Sequence, residues 1–223
     1  MKKIIASTIA SVALMSQSLL AQEIDVKIHN NTNGIYFTPL LVSAHPSTTS
    51  IFSLGSVAST NLKAMAEGGD ITGLSADLAT VNSNSVENPA GGLLAPSTST
   101  TTSISTALAN TNLTITAMLL PTNDGFVALN NWKIPTTAGT YTIDINAYDA
   151  GTEANSEKIT DIPADPSAKA GTGATGVSTL IEGFVHIHRG NIGDSDVAGG
   201  KSDFDVSSHR WLNPIATITV TVK

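Results

Sequence analysis

LTITAMLLPTNDGFVALNNWKIPTTAGTYTIDINAYDAGTEANSE, residues 113–157, is the stretch whose reading decides the fold. Leu113, Ile115, Ala117 and Leu119 alternate with their neighbours, as do Tyr141, Ile143, Ile145 and Ala147. A period of two is the side-chain repeat of a β-strand, so both runs predict sheet with one buried face. Each run ends in an acid-bearing turn, Pro-Thr-Asn-Asp at 121–124 and Tyr-Asp-Ala-Gly-Thr-Glu at 148–153. Acids on loops just past strand ends are a common way to build a site for a hard cation. If 113–120 runs upward, Asp124 lies at the top, and a plain hairpin to 141–148 would leave Asp149 at the bottom. The two acids meet only if the chain reverses once more. Residues 126–129, Phe-Val-Ala-Leu, are apolar enough to run back down, with 130–139 as the lower turn.

Outward from this centre the pattern stays β-rich. Ile24, Val26 and Ile28 alternate with Asp25, Lys27 and His29, and the turn formers Asn30-Asn31-Thr32-Asn33-Gly34 close that strand. Residues 36–43 restart in extended form. Val57, Leu62, Met65 and Ala66 fall near helical spacing, with Ser56 or Ser59 to cap the start and Gly68-Gly69 to end it. This helix is expected to cover one open end of a sandwich, and a second short helix fits around 74–78. Residues 82–102, rich in Asn, Gly, Pro, Ser and Thr, read as a long surface loop, and 163–179 as a flexible connection. A strand is expected over 182–188, a polar excursion over 190–213, and a closing strand where Ile218, Val220 and Val222 alternate with threonines. Many strands, one or two short helices and long loops predict an all-β fold, an antiparallel β-sandwich.

Composition bounds the function. The chain has 223 residues, no cysteine and a formal charge of −7. Its first residues, MKKIIASTIASVALMSQSLLAQE, pair two lysines with a short apolar run and small residues, the pattern of a secretory signal peptide cut after Ala21. The expected organisation is a signal over 1–21 and a single domain over 22–223, secreted or periplasmic. Loss of Lys2 and Lys3 would take the charge from −7 to −9. Such an acidic chain is a poor ligand for nucleic acid or anionic lipid, and no membrane insertion is expected after cleavage. The absence of cysteine excludes disulfides, thiolate metal sites and cysteine nucleophiles.

TNDGFVAL followed by YDAGTEAN resembles the paired signature of the spondin N-terminal domain, the extracellular module of F-spondin and mindin. VKIHNNT, FTPLLVSAHP, LKAMAEGGD, GFVHIHRG and NPIATITV agree with it in order, from about Val26 to Val222. The animal modules carry cysteines, which this chain lacks. The resemblance implies a C2-like sandwich, a calcium ion, and a partner at a cell surface or in an extracellular matrix. In that family the aspartates of the two motifs bind calcium. Asp124 and Asp149 match directly, and Glu153 stands where animal members have Asp, one methylene longer. The metal set implied is therefore Asp124, Asp149 and Glu153. Read from the residues alone, the two aspartates could equally cap their own turns.

Other constellations are open to chemistry. His186 and His188, two apart in Gly-Phe-Val-His-Ile-His-Arg-Gly, share a strand face and could ligate zinc or copper, with His29, His45 or His209 as third ligand, or form a hydrogen-bonding pair. On that alternative the protein is a periplasmic transition-metal protein or a metal-dependent hydrolase. Asp194, Asp196, Asp203 and Asp205 crowd a glycine-rich loop, which is either a solvated loop or a weak cation site without the closing Glu of an EF-hand. Gly73-Leu-Ser-Ala-Asp falls short of a nucleophile elbow, and no phosphate-binding or dinucleotide motif is present. The expectation is a calcium-binding, adhesion-type domain without catalytic activity.

Overall fold

The computed structural model describes residues 21–166, 176–196 and 199–223. The expected signal segment lies outside the described residues except for Ala21, and much of the 163–179 connection lies outside them as well.

Among the described residues, eleven strands form two antiparallel sheets: β1 (Glu23–Asn30), β2 (Tyr36–Phe37), β3 (Leu41–His45), β4 (Asn84–Glu87), β5 (Ser99–Ser105), β6 (Asn112–Leu120), β7 (Gly125–Lys133), β8 (Gly139–Ile145), β9 (Ala147–Asp149), β10 (His186–Ile187) and β11 (Ala216–Val222). The smaller sheet has the order β5-β1-β11-β8; the larger runs β10-β9-β7-β6-β3-β4, with β2 also pairing with β6. This is an all-β sandwich. Ile24, Val26 and Ile28 of β1 and Ile218, Val220 and Val222 of β11 point inward to meet Leu113, Ile115, Ala117 and Leu119 of β6 in one apolar core. The expected alternation is borne out in β1 and β11, and the four residues of β6 expected to face the core do so.

β6 departs from the expectation of one buried face, because all nine of its residues are buried. Its other face, with Met118 and Leu120, packs under two helices, α1 (Thr60–Gly68) and α2 (Thr72–Ala79), through Leu62, Met65, Leu74 and Leu78. The helices therefore cover the outer face of the larger sheet and not the open end of the sandwich. Thr116 makes this second face possible by donating its hydroxyl to the Val127 carbonyl at 3.1 Å, so a polar side chain is buried with its hydrogen bond made. Val57 lies outside α1 and is exposed.

The expected signals bound α1. Ser59 Oγ accepts from the Leu62 N–H at 3.1 Å, and Gly69, at φ 71°, donates to the Met65 carbonyl while Asp70 donates to that of Ala64. Ser59→Ala is expected to lower stability by about 1 kcal/mol in urea unfolding, with an unchanged slope.

Two boundaries are corrected. The stretch 82–102 contains β4 and the start of β5, and the strand expected over 182–188 is only two residues long. β5 went unread because only Ile104 of its seven residues is buried, so it has no apolar alternation to show.

The additional reversal is present. β7 returns antiparallel to β6, and the chain then crosses to the smaller sheet as β8, paired with β11. At Asn146 it switches back, and β9 pairs with β7 so that Asp149 sits opposite Gly125. No hairpin joins 113–120 to 141–148, and both acid-bearing turns arrive at one end of the sandwich.

Candidate metal centre

The turn between β6 and β7 is fixed by Thr122, whose hydroxyl donates to the Leu119 carbonyl at 2.7 Å and accepts from the Gly125 N–H at 3.1 Å. That fold of the backbone aims Asp124 inward, where it is fully buried. Its Oδ2 accepts from the N–H groups of Thr152 (2.6 Å) and Glu153 (3.0 Å) and from the Thr152 hydroxyl (3.2 Å). Its Oδ1 is buried with no hydrogen-bond partner. Burial, and then the neighbouring charge of Asp149, push the Asp124 carboxyl up to about 7, against the pull of those N–H donors.

Asp149 is buried at the end of β9. Its Oδ1 accepts from the Gly151 N–H at 2.7 Å and faces His186 Nε2 at 3.5 Å, while its Oδ2 accepts from Asn155 Nδ2 at 2.7 Å. Glu153 is also buried, its Oε1 accepting from the Gly176 N–H at 2.7 Å. Burial is the main cause that raises its carboxyl to about 7; the Gly176 N–H works against it, and Glu67 and Asp124 add to the rise.

Asp124 and Asp149 are thus brought within strong electrostatic reach of each other, and Glu153 within reach of Asp124. Asp124 Oδ2 is also tied to the 152–153 backbone, so turn capping and charge clustering coexist here. Among the described residues, the group whose donor atoms all lie within 4.8 Å of one another is a different one: Asp149, Glu182 and His186. Sequence reasoning missed Glu182. Its spacing of four from His186 was the available signal, although in a loop such spacing does not fix a shared face. Glu67 was missed too, and its influence comes from the last turn of α1.

The two histidines differ in tautomer. His188 Nδ1 accepts from the Gly190 N–H at 3.0 Å, so the neutral ring carries its proton on Nε2 and offers no lone pair there. The ring is buried beside Trp211, with centroids 5.0 Å apart, and burial pushes its pKa down. His186 is the reverse. Its Nδ1 lies 3.0 Å from the Ile187 carbonyl and must donate to it, which leaves the lone pair of the neutral ring on Nε2. His29, His45 and His209 belong to no such group with His186 among the described residues.

The second acidic cluster is engaged in closing its own loop. Asp194 accepts from the N–H groups of Asp196, Lys201 and Ser202, Asp203 from Ile159, and Asp205 from Ser207. The Ser202 and Asp196 N–H groups lower the pKa of Asp194, and the Ser207 hydroxyl, followed by the Ser207 N–H, lowers that of Asp205.

Residues 27–174, about two thirds of the chain, match the family model Spondin_N. The chain belongs to the Spondin_N family. Asp124, Asp149 and Glu153 lie inside the matched residues, whereas GFVHIHRG, NPIATITV and Glu182 lie beyond them. No curated protein matches the chain as a relative. Among the described residues no helix is long and apolar enough to cross a membrane.

Proposed function

We propose that this Spondin_N domain is an exported, extracellular-type binding module that holds a calcium ion with Asp124, Asp149 and Glu153 and performs no catalysis. The observation that carries the reading is Asp124 Oδ1, an acceptor buried without a donor beside a second buried carboxylate. An unmatched buried acceptor costs about 1–3 kcal/mol, and two carboxylates at close quarters repel. A cation would remove both penalties, and calcium takes oxygen ligands of this kind together with backbone carbonyls and water. The ion would fix the 121–124 and 149–153 turns against each other. The partner would be a ligand at a cell surface or in a matrix.

Calcium at one hundred times its dissociation constant is expected to stabilise the fold by about 2.7 kcal/mol. Thermal melts in calcium and in chelator read this directly, and Asp149→Ala should erase the difference. Identical melts in both conditions would dispose of the calcium reading.

A further inference from the structure

We propose that His186, Asp149 and Glu182 form a second metal position, for a first-row transition ion of the zinc type, distinct from the calcium ligands except for the shared Asp149. The juxtaposition is direct: one imidazole nitrogen and two carboxylates, donor atoms all within 4.8 Å of one another. One nitrogen with two carboxylate oxygens suits zinc, whereas calcium takes oxygen alone. Three such ligands would leave the fourth position of a tetrahedral zinc ion open, and Glu182 is exposed to solvent.

The state of the His186 ring is the independent observation. Donation from Nδ1 to the Ile187 carbonyl leaves the lone pair on Nε2, which lies 3.5 Å from Asp149 Oδ1. That nitrogen is buried and has no hydrogen-bond partner. A lone pair facing a carboxylate is repulsive unless a proton or a metal ion lies between them. Nδ1–H held by a backbone carbonyl is also the outer support that metal-ligating histidines use, since it fixes the tautomer and the ring orientation. The carboxylates are supported in the same way. Asn155 Nδ2 reaches both Asp149 Oδ2 at 2.7 Å and Glu182 Oε1 at 3.4 Å, and the Gly151 N–H holds Asp149 Oδ1. The Phe184 ring packs on the imidazole, with centroids 5.6 Å apart. His188 takes no part, because its Nε2 carries the proton.

The test is zinc titration of the exported chain, residues 22–223 without a histidine tag, by calorimetry and by metal content after equilibrium dialysis, in saturating calcium. One zinc per chain is expected. His186→Ala and Glu182→Gln should each weaken zinc binding at least about tenfold while leaving the calcium-dependent melting shift unchanged. Glu182 is exposed and His186 partly so, and circular dichroism would verify that both variants fold. Asp124→Asn should do the opposite, abolishing the calcium shift and keeping the zinc. A wild-type chain that binds no zinc, or a His186→Ala chain that binds it with full affinity, overturns the proposal whatever the calcium result.

Discussion

In chelator at pH 8, Asp124→Asn is expected to be more stable than the wild-type protein, by up to roughly 4 kcal/mol, and calcium to reverse the order. The sign follows from the direction of the shift. Asp124 is held at about 7 in the fold against an ordinary 3.8, so the folded state binds more protons than the unfolded chain between those values. Stability contributed by the protonated carboxyl is therefore complete below 3.8 and is lost as the pH rises through 7. At pH 8 the wild-type fold carries a buried charge beside Asp149, and the variant does not. An Asn oxygen can still accept from the Thr152 and Glu153 N–H groups, while its amide presents donors to the position of the orphaned Oδ1 and to Asp149. The advantage should shrink as the pH falls towards 4, where the protonated wild-type side chain resembles the amide. His45 and His188, both pushed down by burial, destabilise the fold in acid in both proteins. Glu153, also held at about 7, feels the Asp124 charge, so removing that charge relieves Glu153 as well and adds to the difference in the same direction. Calcium should stabilise only the wild type at pH 8, and its affinity should fall with acid as protons compete for the same oxygens. Paired urea titrations at pH 4, 6 and 8 read all of this. A variant less stable than wild type in chelator at pH 8 would show that the Asp124 charge supports the metal-free fold.

The elements legible in the sequence were those in which one face is apolar and the other polar. β1 and β11 alternate because one side meets the core and the other meets water. Ser59 and Gly69 marked α1 because unpaired backbone groups at helix ends demand such residues whatever the surroundings. The outer face of β6 was hidden by its composition. Thr114 and Thr116 read as solvent-facing, yet they are buried because Asn131, His45 and Val127 satisfy their hydroxyls across strands. The meeting of Asp124 with Asp149 could be argued from the strand reversal, since each acid ends a strand at the same end of the sheet. The arrival of Glu182 and His186 could not. That segment is tied in by Gly183 N–H to Gly151 and by Val185 N–H to Ser56, contacts between distant parts of the chain that no local spacing encodes. Likewise, sequence spacing made His186 and His188 equivalent, and only the Gly190 N–H and the Ile187 carbonyl distinguish them.

Gly151→Ala is expected to cost about 3 kcal/mol or more and to weaken both metal positions together. Gly151 has φ +68°, a left-handed conformation that costs an L-residue roughly 1–2 kcal/mol. A Cβ there would also lie 2.4 Å from the Phe184 carbonyl oxygen and 2.7 Å from its nitrogen, so backbone must move, since no flexible side chain is available to yield. The two strained segments are the ones that carry the ligands. Gly151 donates its N–H to Asp149 and accepts from Gly183 at 2.9 Å, so pushing Phe184 away separates Asp149 from Glu182 and His186. Gly183 supplies the control. Its φ is +79°, but a Cβ there meets nothing within 4 Å, so Gly183→Ala isolates the conformational cost alone. Guanidinium unfolding of the two variants in chelator should therefore differ by the part of the Gly151 effect that comes from the Phe184 backbone. Zinc and calcium affinities should fall in Gly151→Ala and hold in Gly183→Ala. Equal losses in the two variants would mean that the 151–184 contact is not what locks the two segments together.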